Sequence, residues 1–113
     1  MTTNWTEAVA ALQQATSILV VTHVKPDGDA IGSLLGLTLA LRKQGKQVDA
    51  AVDGGVPDYL RYLSQSETVA VELESGQWDL MIAVDASDAE RMGTVGSYGL
   101  AHSATVINLD HHP

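Results

Sequence analysis

The chain has no cysteine, which rules out disulfides and thiolate metal ligands and fits a reducing, cytoplasmic compartment. It has only three prolines against ten glycines, a balance that suits tight turns between regular elements. Basic residues are scarce: six Lys and Arg face fourteen Asp and Glu, for a net charge of −8. That deficit argues against a long duplex as partner, because such binding rests on cations neutralising phosphates. An anionic ligand would need metal ions or a local site to draw it in. No apolar run approaches the roughly 18 residues of a membrane span, and the start "MTTNWTEAVA" lacks a basic and apolar leader, so no membrane association is expected. Low-complexity tracts, internal repeats and linkers are also missing. What remains is 113 residues, 45% hydrophobic and 18% charged, enough for one domain with one core.

Short β-rich runs alternate with helical stretches. "WTEAVAALQQA" places Ala8, Val9 and Leu12 at helical spacing behind Thr6, a candidate N-cap. "SILVVTH" reads as a strand buried on both faces. Residues 30–44 form a long helix, apolar on most sides, that Gly45 stops. "KQVDAAVD" is a second strand, "PDYLRYL" a short helix with Pro57 near its first turn, and "TVAVEL" a short strand. "DLMIAVD" follows as another buried strand, "SDAERMG" as a brief helix capped by Ser87 or Asp88, and "ATVINLD" as the last strand. The expected fold is α/β: a doubly wound, mostly parallel, Rossmann-like sheet of about five strands with helices on both faces.

The strand ends carry the chemistry. Apolar runs finish at His23, Asp85 and Asp110, and the loop after the first adds Asp27 and Asp29. Ligands of open α/β sheets bind outside the carboxyl ends of the strands, so these residues fall on one edge. If the loop is extended, Asp27 and Asp29 point to the same side, with Gly28 between them. Two such charges about 4 Å apart repel by roughly 4 kcal/mol at an effective dielectric near 20, so either they protonate or a cation sits among them. Carboxylates and imidazoles without thiolates suit manganese, magnesium or zinc, and the oxygen-rich balance favours the first two. His111 and His112 add nitrogens beside Asp110, and Asp85 is placed to bridge two ions. Such a pair clamps a phosphate and acidifies a water for in-line attack.

Each residue also has a plainer reading. "PDGD" is a common turn, and Asp29 could simply cap its helix; Asp85 could start a loop, and "DHHP" could be a loose tail. Lys25 reads as a solvated loop lysine and His102, after a glycine-rich turn, as a surface residue. Arg91 either supports the acidic site from behind or pairs with Asp88 or Glu90. The metal reading is favoured by coincidence: three separate strand ends each supply ligand types.

Taken together, "THVKPDGDAIGS", "AVDASDAERMG" and "VINLDHHP" resemble the first three motifs of the DHH phosphoesterase superfamily, in that family's order. The form "HxxPDGDAIGS" is closer to the nano-RNase and 3′-phosphoadenosine-5′-phosphate (pAp) phosphatase branch than to the manganese pyrophosphatases. The resemblance implies a hydrolase with a two-manganese centre, Mg2+ or another divalent ion being an alternative. His23 and Asp27 would hold one ion, Asp29 and His111 the other, and Asp85 would bridge them. Asp85, His111 and His112 would be catalytic, His112 facing the substrate phosphate, while Asp110 and Arg91 would act from behind the ligands. The implied substrates are short oligonucleotides or pAp-like nucleotides. Family members continue to a further aspartate and a substrate-gripping cap domain, neither of which follows His112 here. The expectation is therefore an N-terminal portion, residues 1–113, of a DHH phosphoesterase domain, with an uncovered sheet edge or helix face that favours homo-oligomers. A non-catalytic metal- or nucleotide-binding α/β module is the alternative; a dinucleotide-binding domain ranks low, since no G-x-G-x-x-G follows the first strand.

Overall fold

Four consecutive aliphatic residues, Ile18 to Val21, have no polar face to show to water and need cover on both sides. In the computed structural model, which describes residues 5–84 and 90–109, they lie in an interior strand of a parallel sheet. Strand β1 (Ser17–Val21) pairs with β2 (Gln47–Ala51) on one side and β3 (Trp78–Val84) on the other, and β3 pairs with β4 (Ser103–Leu109). The order is β2-β1-β3-β4. Ile18 and Val20 face helices α1 (Trp5–Gln14) and α2 (Gly28–Lys43), packing with Ala8, Ile31 and Leu34. Leu19 and Val21 face the opposite layer, where Met92 and Val95 cover them at the start of helix α3 (Gly93–His102). Helices thus cover both faces, as expected for a doubly wound fold.

Among the described residues the sheet has four strands rather than about five. "TVAVEL" makes a single bridge, Ala70 to Ala51. Ala70 N donates to Ala50 O, Val52 N donates to Ala70 O, and Gly54 N reaches Val71 O at 3.3 Å. No regular ladder follows, because Gly54 and Gly55 turn the chain with φ of +81° and +79°. "PDYLRYL" is likewise shorter than expected, a single 3-10 turn at Asp58–Leu60 after Pro57. α1 begins at Trp5, so Thr6 lies inside its first turn instead of capping it. Gly45, at φ +86°, does end α2. The proposed caps Ser87 and Asp88 lie outside the described residues; Glu90–Met92 form a 3-10 turn leading into α3.

Helix α3 was not expected at all: its sequence, "GTVGSYGLAH", reads as a glycine-rich turn. The glycines serve packing instead. A Cβ on Gly99 would stand 2.6 Å from Leu19 Cδ2 and 2.7 Å from Met81 Sδ, so only glycine lets the helix lie this close to the sheet. His102, read as a surface residue, is half-buried at the end of this helix. Its ring stacks on Tyr98 at 3.9 Å and 12°, and its Nδ1 lies 2.8 Å from Tyr98 O.

The amino edge of the sheet is stapled by one carboxylate. Asp79 accepts hydrogen bonds from Thr16 N and Thr16 Oγ1, both 2.9 Å, and from Ser17 N at 3.3 Å. These bonds, Thr16's backbone first, hold its carboxyl below the ordinary value of 3.8. Among the described residues no helix is long and apolar enough to cross a membrane.

Candidate metal centre at the carboxyl edge

The order β2-β1-β3-β4 makes the chain leave β1 toward β2 on one side, while β3 lies on the other. The gap between the carboxyl ends of β1 and β3 is therefore the switch point, where open α/β sheets bind ligands. Buried Thr22 closes its floor, its Oγ1 donating to Val84 O at 2.7 Å. His23, half-buried, follows directly. Its Nδ1 lies 2.8 Å from Val24 O, and with the proton on that nitrogen the neutral ring carries its lone pair on Nε2, the atom through which it would take a metal.

The loop returns at once into α2. Asp27 is extended, φ −93° and ψ −176°, and its Oδ1 accepts from Ala30 N at 2.9 Å, so Asp27 caps the helix where Asp29 was the suggested cap. Asp29 is in the first helical turn, where its charge favours the helix dipole. Since Gly28 is already helical, the alternation of an extended chain does not apply to Asp27 and Asp29. Both side chains are exposed at this edge. Asp27 keeps its second oxygen, Oδ2, for another partner.

Asp85, Asp110, His111 and His112 lie outside the described residues. Val84 and Leu109, the last described residues before them, are register partners in β3 and β4. Among the described residues no group of three or more His, Asp or Glu side chains could hold a metal ion. His23, Asp27 and Asp29 alone do not make a complete site. Arg91 is exposed, and its main chain touches this loop: Val24 N donates to Arg91 O. Lys25 is exposed, as read, on a residue with φ +53°.

One acidic residue at this edge escaped the reading. Asp53, just past β2, accepts from Thr94 N at 2.8 Å with Oδ2, and from Thr94 Oγ1 and Val95 N, each 2.9 Å, with Oδ1. Burial opposes its charge, but the bonds from Val95 and Thr94 outweigh it and hold the carboxyl below its ordinary value. The signal was present, since the apolar run Ala50-Ala51-Val52 also ends on an aspartate.

A parallel, doubly wound sheet with His23 and the N-terminus of α2 beside its switch point defines an α/β domain of the class whose ligands bind outside the carboxyl ends of the strands. The chain belongs to the DHH family: the model of the DHH family N-terminal domain matches residues 17–113. It is 38% identical over 96 residues to the bifunctional oligoribonuclease and PAP phosphatase NrnA of Thermus thermophilus, covering 84% of this chain and 28% of the relative. With the Bacillus subtilis protein of the same name it shares 30% over 108 residues, covering 96% and 33%. An exopolyphosphatase-related protein from Bacteroides fragilis has a solved structure that superposes with a TM-score of 0.81 at 29% identity, over 95% of this chain and 34% of that one. The chain thus spans about a third of the length of the relatives it matches.

Proposed function

We propose that the chain carries the metal-binding portion of a phosphoesterase that hydrolyses short oligonucleotides or pAp-like nucleotides at a two-manganese centre. The observation that supports this is the placement of His23 just after β1 and of Asp27 at the N-cap of α2, both beside the β1/β3 switch point. His23 and Asp27 would hold one ion and Asp29 and His111 the other, with Asp85 shared; Asp110 would orient a ligand and His112 face the phosphate. The ions would supply the positive charge that an acidic chain lacks and would acidify water at neutral pH. The α2 N-terminus favours the same anion through its amides and dipole. The substrate class is supported by the names of the relatives, oligoribonucleases and PAP phosphatases. A second reading is a non-catalytic metal- or nucleotide-binding α/β module, consistent with the absence, among the described residues, of a group of three or more His, Asp or Glu side chains that could hold a metal ion.

Manganese titration by calorimetry tests the centre, with Asp27→Asn as the informative variant. Asparagine caps helices as well as aspartate, so the fold should hold while affinity falls. Absence of binding at micromolar manganese in the unaltered chain would eliminate both readings. Hydrolysis of a chromogenic phosphodiester with manganese, compared with Asp85→Asn, then separates them: equal rates leave only the binding module.

A further inference from the structure

We infer that Asp53 is a positioning residue for the His23 loop, acting through the start of α3. This rests on the metal-centre reading for its consequence, though its geometry stands apart from it. β1 separates β2 from β3 in the sheet, so the carboxylate of Asp53, on the loop after β2, reaches across the carboxyl end of β1 to meet α3. Both its oxygens are used there, on Thr94 N, Thr94 Oγ1 and Val95 N. Two residues before Thr94, Met92 is fully buried, and one residue earlier still, Arg91 O receives the amide of Val24. Val24 is the neighbour of His23, and its own carbonyl is the partner of His23 Nδ1. The chain of contacts thus runs from Asp53 to the first turn of α3, to Arg91 O, to Val24, to the imidazole.

Packing closes the same path. A Cβ on Gly93, which sits at φ +66°, would collide with the Asp53 carboxylate and stand 2.6 Å from Val24 Cγ1. Gly93 therefore sits between Asp53 and Val24, close to both, and a shift of the α3 turn displaces the loop. Groups that orient a metal's ligands commonly change its affinity by about 10–100-fold when removed.

The molecule supplies its own control. Asp79 is a second carboxylate that accepts three hydrogen bonds, at the opposite edge of the sheet. The experiment compares Asp53→Ala, Asp53→Asn and Asp79→Ala for manganese affinity by calorimetry and for amide exchange at Val24 by NMR. Asp53→Ala should weaken manganese binding by about tenfold and speed exchange at Val24. Asp53→Asn, which keeps one acceptor oxygen, should recover part of both. Asp79→Ala should lower stability but leave both readouts unchanged. Unaltered exchange at Val24 in a folded Asp53→Ala protein would overturn the inference, as would an equal loss of affinity in Asp79→Ala. If the unaltered chain binds no manganese, the metal reading falls, while the exchange rates still decide whether Asp53 holds the loop.

Discussion

Replacing Gly99 by alanine should destabilise the protein although alanine is the better helix former. The added Cβ would stand 2.6 Å from Leu19 Cδ2 and 2.7 Å from Met81 Sδ, where ordinary contacts are about 3.5–4.0 Å. Something must therefore yield by roughly 1 Å. Leu19 and Met81 are both 0% exposed in adjacent strands, so neither has open space to enter. Overpacking of this kind costs about 1–3 kcal/mol, set against about 1 kcal/mol gained in helix propensity. Gly36, in the middle of α2, is exposed, and a Cβ there meets nothing within 4 Å. Gly36→Ala collects the propensity gain alone. The gain is common to both variants and cancels in their difference, leaving a packing term of about 2 kcal/mol. At about 4 °C per kcal/mol for a domain of this size, the two thermal midpoints should lie roughly 8 °C apart. Circular dichroism melts and urea titrations of the two variants give this difference directly. A Gly99→Ala protein as stable as Gly36→Ala would refute the close approach of α3 to the sheet.

Two further outcomes follow from the hydrogen bonds at the sheet edges. Asp79 is more acidic folded than unfolded, so its contribution is present above the unfolded value of 3.8 and is lost as pH falls through the folded one. Urea unfolding between pH 3 and 7 should show a shallower acid limb for Asp79→Asn, and an unchanged slope would contradict the staple. Thr22→Val keeps the shape of a fully buried side chain but removes the donor to Val84 O, at a cost of about 1–2 kcal/mol by chemical denaturation; a neutral result would mean that the strand ends are not joined there.

The strands were legible because burial on both faces demands continuous aliphatic runs, and Ile18–Val21 and Leu80–Val84 satisfy that without ambiguity. The helix at 28–43 was legible for the same reason, and its stop at Gly45 from the need for a left-handed residue. Helix α3 was hidden because three glycines in ten residues oppose a helix by about 1 kcal/mol each, a local deficit that packing on Leu19 and Met81 overrides. With α3 unseen, the stacking of His102 on Tyr98 four residues earlier was unseen too. At the candidate site, the position of His23 and Asp27 at the end of β1 was readable from where the apolar run stopped. Which aspartate caps α2 was not, because Asp27 and Asp29 flank the same glycine and both are good caps. The partnership of Asp53 with Thr94 spans 41 residues, and no spacing rule reports a contact of that range.

Of the four described strands, an interior one, β1, comes first in the sequence. β2 is the next strand in the sequence, but the other neighbour of β1 ends at Val84, 62 residues beyond Thr22. At ribosomal rates of about 5–20 residues per second, one flank of Ile18–Val21 waits roughly 3–12 s for its partner. A nascent chain of this topology therefore exposes its most apolar segment to other proteins in the cell for seconds, and its yield should respond to chaperone supply and translation speed more than its final stability suggests.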